Sequence, residues 1–229
     1  MTPYIRLPLL IAAAMLAFPL AAAAGDDAFD YDAIAEKTFW EALYPDGGWT
    51  LYCGIRFGAD RRTEDGANVV IDHVYPTELL LKVAGCDNRS DCRDGGNGRF
   101  AKMEADLHNL YPTRQSLFSF RSGRRYGLVE GEDWRFDDCD IEWKDNVFEP
   151  RPLARGNVAR SIFYMRATYR VPVDAALLRL LKDWNREDPP SEQERARNDQ
   201  IEKLQGKRNA YVDNPALADR LKPAPPQQE

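Results

Sequence analysis

Histidine is scarce in this chain: its 229 residues hold only His73 and His108. The H-x-x-x-H and C-x-x-C spacings that usually build zinc sites do not occur. The G-x-S-x-G elbow of acyl-transfer enzymes and a Gly-rich phosphate loop are missing as well. Excess positive charge is also lacking. Lys and Arg number 31 against 37 Asp and Glu, a net charge of −6, which argues against coating nucleic acid by bulk charge. Beyond residue 24 no apolar run is long enough to cross a bilayer, and no internal repeat is present.

What is present begins with an apolar start. Arg6 precedes a run from residue 7 to residue 24 that ends in Ala22-Ala23-Ala24, ahead of Gly25 and Asp26-Asp27. A charged start, an apolar middle and a small-residue end read as a secretory signal, cleaved on export. A retained membrane anchor is the rival, but the run is short and Pro19 interrupts it. Removing residues 1–24 takes away Arg6 alone and moves the balance from −6 to −7. The remainder reads as a single domain, residues 25–215, followed by a polar, proline-rich tail, residues 216–229. At 44% hydrophobic and 30% charged it is a globular composition, with ten Tyr, ten Phe and five Trp for a core.

The four cysteines are Cys53, Cys86, Cys92 and Cys139. An even count behind an export signal reads as a disulfide framework, for which three pairings exist. Cys86 with Cys92 would close a small loop and leave Cys53 with Cys139. A zinc site is the rival reading, and the absence of close ligand pairs weighs against it.

The hydrophobic spacing predicts a helix over 31–43, a turn at 45–48, and strands over 49–57 and 69–75. A short helix is expected at 79–83, a polar loop over 87–98, and a helix over 100–110. Arg121 to Arg125 reads as a basic turn, and 141–143 as a brief strand. Val158, Ile162, Met165 and Tyr169 mark one amphipathic helix. Asp174 would cap a second, and Ser191 with Glu194 would form the capping box of a third. Early strands and late helices predict an α+β fold with a helix-rich C-terminal half.

Chemistry concentrates around the two histidines. His73 follows Asp72 at the end of an apolar strand, just before Pro76. On a regular strand the two side chains would point to opposite faces, so sharing a site needs a bend there. A neutral imidazole can take a proton from water, and a carboxylate beside it can hold Mg²⁺. Metal-assisted phosphodiester hydrolysis needs both, although a hydrogen-bonded histidine at a strand end is the plainer reading. His108 reads as structural. Glu104, one helical turn earlier, is either a metal carboxylate or a solvated one. Arginines cluster at Arg89 and Arg93, at Arg121 to Arg125, and at Arg151, Arg155 and Arg160. Each cluster is a phosphate contact or a solvated face.

An ordered set of motifs then becomes visible. It runs through Leu51-Tyr52-Cys53-Gly54, Asp72-His73-Val74-Tyr75-Pro76, and Met103-Glu104-Ala105-Asp106-Leu107-His108-Asn109-Leu110-Tyr111-Pro112. Glu149-Pro150, Arg155-Gly156, Asp188-Pro189-Pro190, Arg197-Asn198 and Gln205-Gly206 follow. In order and spacing this resembles the bacterial endonuclease I family of periplasmic and secreted nucleases.

The resemblance implies a ββα-metal, or His-Me finger, core and a DNA substrate, with RNA as a second. It implies Mg²⁺, with Mn²⁺ or Ca²⁺ as alternatives, and a monomer in the periplasm or outside the cell. It places His73 as the general base and Asp72 as a metal ligand, one methylene shorter than the family's usual Glu. Glu104 and Asn109 are further candidate metal ligands. Arg89 is expected to hold the cleaved phosphate, with Arg93 and Arg121 as additional phosphate contacts. One departure stands out. The family carries a metal-ligating asparagine three residues before the arginine that Arg121 matches, and here that position is Phe118. An apolar ring cannot coordinate a cation that wants oxygen. A catalytically impaired binding module is therefore the alternative reading.

Overall fold

The computed structural model describes residues 29–95, 97–131, 134, 136 and 139–223. The expected export signal lies outside them.

Asp30 opens the first helix, its carboxylate accepting from the Asp32 amide. Helix α1, Tyr31–Ala33, runs on as a π-helix over Ile34–Leu43 and buries Phe39, Trp40 and Leu43. These side chains form one apolar cluster with Phe57, Val69, Leu107, Leu110 and Ile201.

The strand expected over 49–57 is instead a hairpin of β1, Gly48–Trp49, and β2, Arg56–Phe57. The chain turns back between them, with the Gly54 amide bonded to the Thr50 carbonyl and Gly54 at φ 66°. That turn lets Cys53 reach Cys139, and it buries Tyr52. An uninterrupted strand would send these adjacent side chains to opposite faces.

Strand β3, Val69–His73, pairs antiparallel with β4, Leu110–Arg114, and His73 stands opposite Leu110. Between them lie α2, Thr77–Ala84, α3, Arg89–Asp94, and α4, Gly98–Glu104. The segment expected as a polar loop thus contains a helix. Asn88 caps it by accepting from the Asp91 amide, and the Cys86–Cys92 disulfide ties it to the preceding chain. The helix expected over 100–110 ends early. Asp106 captures the His108 amide with its carboxylate, and the Asn109 amide bonds to the Asp106 carbonyl. Such local side-chain bonds compete with the helical ladder.

Helix α5, Gln115–Arg121, follows β4 directly. A small sheet comes next: β5, Arg125–Tyr126, β6, Glu142–Lys144, and β7, Val147–Glu149. Strand β7 is central, parallel to β5 and antiparallel to β6.

The second half is helical: α6, Pro152–Tyr169, α7, Ala175–Glu187, α8, Glu192–Gln205, and α9, Ala210–Asp213. Asp174 and Ser191 cap α7 and α8 as expected, but the capping box is left half made, because the Glu194 carboxylate accepts from Arg160 instead. Helix α6 is buried on most sides, and its Val158, Ile162 and Phe163 share the main core with Leu178, Leu181 and Trp184 of α7. A 3₁₀ turn, Pro215–Arg220, runs into the start of the segment read as a tail and buries Ala218. The fold is mixed α+β, helix-rich in its second half. No described helix is long and apolar enough to cross a membrane.

Candidate active site

His73 closes β3 and is 4% exposed. The strand beyond it is held by Asn109, whose side-chain oxygen accepts from the Tyr75 amide at 2.7 Å and whose NH2 donates to the Tyr75 carbonyl at 3.1 Å. The His73 Nε2 lies 2.8 Å from the Glu104 carbonyl oxygen. A carbonyl only accepts, so Nε2 carries the proton and Nδ1 keeps its lone pair. Tyr31 stacks on the imidazole, with ring centroids 5.4 Å apart. Burial pulls the His73 pKa from 6.5 down to about 3. The Glu104 carbonyl works against that shift, while Arg89 and Arg121 add to it. At neutral pH the ring is an uncharged base.

His73 and Asp72 both line one cavity of about 320 Å³, together with Tyr31, Glu78, Arg89, Phe118 and Arg121. The carboxylate of Asp72 is buried. It accepts from Arg121 at 3.1 Å and from the Tyr52 hydroxyl at 3.0 Å. Burial raises the Asp72 pKa, and the Arg121 guanidinium and Tyr52 hydroxyl act against that rise. Arg121 also donates to the Val74 carbonyl and, at 2.9 Å, to the Tyr126 hydroxyl. Its Nε has no partner among the described residues.

Glu104 does not line the cavity, and its carboxylate pairs with Arg89 at 2.8 Å and Arg93 at 3.3 Å. Its pKa is raised by burial, against the pull of both arginines. Arg89 is the more open of these cations, with a side chain 44% exposed. It spans Glu104, the Thr77 hydroxyl at 3.2 Å and the face of Tyr31 at 5.4 Å. Arg93 does not line the cavity and pairs additionally with Asp32.

The structure therefore gathers His73, Asp72, Arg89 and Arg121 around one cavity and sets Phe118 on its wall, 39% exposed. Glu104 meets the site through its backbone, and Asn109 braces the strand end. His108 is structural as expected, donating to the Lys207 carbonyl at 3.0 Å with its ring against Tyr164. Sequence reasoning missed Tyr31, Tyr52, Glu78 and Tyr126. Tyr52 sits in a quoted motif and carried a findable signal. Tyr31 reaches the site from a distant helix, and its spacing read only as part of that helix.

The family model for endonuclease I matches residues 46–216. The chain belongs to the endonuclease I family. It is similar to a periplasmic deoxyribonuclease from Aeromonas hydrophila, 28% identical over 193 residues, covering 75% of this chain and 81% of that one. It is similar to Endonuclease-1 from Buchnera aphidicola subsp. Acyrthosiphon pisum, 30% identical over 167 residues, covering 70% and 64%. An extracellular ribonuclease from Bacillus subtilis is 30% identical over 143 residues, covering 52% and 46%. Within this endonuclease I chain the cavity beside His73 is the candidate active site.

The cation that the family implies can be tested against these side chains. Mg²⁺ takes oxygen ligands, keeps several waters and often binds through one or two carboxylates with substrate phosphate. Asp72 and Glu78 are the carboxylates on the His73 cavity. Both Asp72 oxygens already accept, from Arg121 and from Tyr52, so a hard cation would have to share their remaining lone pairs. Asn109 and Glu104 have taken other partners, and among the described residues no group of three His, Cys, Asp or Glu side chains gathers around a metal position.

Proposed function

We propose that this protein is a Mg²⁺-dependent endonuclease that hydrolyses phosphodiester bonds of DNA outside the cytoplasm, as a monomer and with little sequence preference. RNA is a second substrate. The observation that carries the reading is the neutral His73, fixed by the Glu104 carbonyl, with its other ring nitrogen free to accept a proton and arginines on the same cavity. The antiparallel β3–β4 pair followed by α5 supports a ββα-metal arrangement.

In this reading water attacks phosphorus and passes its proton to His73 as the new P–O bond forms. The bond to the leaving sugar oxygen breaks on the far side. Arg89 holds the phosphate, and Arg121, on the wall of the same cavity, adds positive charge beside it. Asp72, with Glu78, would hold the cation, which supplies charge stabilisation for the phosphate and the leaving oxygen. The export signal and the nuclease names of periplasmic and extracellular relatives support action outside the cytoplasm. Disulfides that form only in an oxidising compartment would delay folding until export.

Purified mature protein is expected to degrade plasmid DNA with Mg²⁺ and to stop when EDTA is added. Undiminished cleavage in EDTA would remove the cation from the proposal. Phe118 favours a second reading, a nuclease-derived module that binds without cutting. Absence of cleavage with Mg²⁺, Mn²⁺ and Ca²⁺, alongside retained DNA binding, selects it.

A further inference from the structure

On the other side of helix α2 from the His73 cavity lies a second, larger groove of about 950 Å³. Its wall carries Lys82, Arg166, Arg170, Arg220 and Lys222, and no carboxylate. In a chain of net charge −6 that concentration of one sign is unusual. The cations come from α2, from the end of α6 and the residue after it, and from the end of the 3₁₀ turn and the stretch beyond. The arginine clusters of the linear sequence include none of them. Most arginines of those clusters are ion-paired within the protein: Arg89 and Arg93 with Glu104, Arg121 with Asp72, Arg155 with Glu149, and Arg160 with Glu194. The groove cations are different. None of the five makes an ion pair among the described residues, and the nearby carboxylate of Asp219 is bonded to Arg186 at 2.8 Å. Five like charges in one concavity repel one another and raise the local concentration of anions.

We infer that this groove is a second nucleic-acid site, which grips the phosphate backbone of the strand whose cleaved bond lies at His73. The inference rests on the nucleic-acid substrate proposed above. Position supports the assignment. Thr77, Glu78 and Leu81 of α2 line the His73 cavity, while Leu79, Lys82 and Val83 of the same helix line the groove. Tyr75, two residues beyond His73, also lines it and donates its hydroxyl to the Pro172 carbonyl at 3.0 Å. One helix, about 10–12 Å wide with its side chains, separates the two sites. At about 3.4 Å per nucleotide a strand crosses that width in roughly three to four nucleotides. The groove therefore contributes to binding of long substrates and nothing to very short ones.

The test is fluorescence anisotropy of a labelled 20-nucleotide DNA duplex in EDTA, over a series of salt concentrations. The wild type is compared with the exposed triple variant Lys82→Gln, Arg170→Gln and Arg220→Gln. The variant is expected to bind more weakly at low salt, with a salt slope shallower by about 0.9 for each lost phosphate contact. Cleavage of a dinucleotide is expected to stay at the wild-type rate, which shows that the His73 cavity is intact. An unchanged affinity and slope would overturn the inference. So would loss of binding to phosphatidylglycerol vesicles with DNA binding untouched, because the groove would then be a membrane contact. DNA binding that depends on the groove in a protein that never cleaves supports this site while sinking the nuclease reading. Cleavage and binding of long DNA that the triple variant leaves unaltered does the reverse.

Discussion

Asp72 and Arg121 sit side by side where water hardly reaches, at 2% and 4% exposure. Removing either partner strands the other. Arg121→Met is expected to lower stability by about 3–5 kcal/mol, because it leaves an uncompensated buried carboxylate. Urea unfolding measures this, and a loss under about 1 kcal/mol would show that solvent reaches Asp72 after all. Phe118 poses a different question. It puts an apolar ring on the cavity wall where the family resemblance leads to an amide, so in the proposed reading a cation would rely on carboxylates, water and phosphate. Phe118→Asn is expected to tighten Mg²⁺ binding, as read by calorimetric titration. Unchanged affinity would mean that position 118 is not the missing ligand.

At the scale of the elements, the site depends on a short strand pair pinned from outside. The β1–β2 turn reaches it through Tyr52, and the Cys53–Cys139 disulfide ties that turn to the segment before β6. The bond spans 86 residues, against 6 for Cys86–Cys92. Chain entropy alone gives about 4–5 kcal/mol for the long loop and about 2 for the short one. Replacing Cys53 and Cys139 by Ala should therefore cost about twice as much as replacing Cys86 and Cys92, measured by urea unfolding. Equal losses would place the stabilisation elsewhere. The elements also show why parts of the fold could not be read from spacing. The late helices are long, capped and periodic, and their pattern was legible. Helix α3 is short and polar, held by Asn88 and a disulfide, with only Cys92 buried. Helix α4 stops because Asp106 bonds its own neighbours, which hydrophobic spacing does not register.

Across the whole molecule, buried neutral histidines set part of the acid stability. Burial holds His108 at about 4, below its ordinary 6.5. Between those values the unfolded chain takes up a proton that the folded one refuses, so stability falls as pH drops from 6.5 toward 4. At pH 5 this amounts to on the order of 2 kcal/mol. The raised carboxyls of Asp72, Glu104 and Asp188 act the other way, so a comparison with His108→Gln isolates the effect. From pH 7 to pH 5 the wild type should lose about 2 kcal/mol more than the variant. Parallel curves would show that His108 is not held neutral. The candidate site was legible where residues of one motif stay together, as with Asp72 and His73. The stacking of Tyr31, the engagement of Asn109 with the Tyr75 backbone and the five-cation groove arise only when distant segments meet. Local sequence carries no sign of such encounters.

His73 remains the centre of the account. Its role is tested most directly by kcat/KM of His73→Ala on DNA, with and without added imidazole. Loss of the general base should slow cleavage by roughly 10²–10⁴-fold, and imidazole should restore part of the rate in the variant while leaving the wild type unaffected. Cleavage by His73→Ala at the wild-type rate would contradict it.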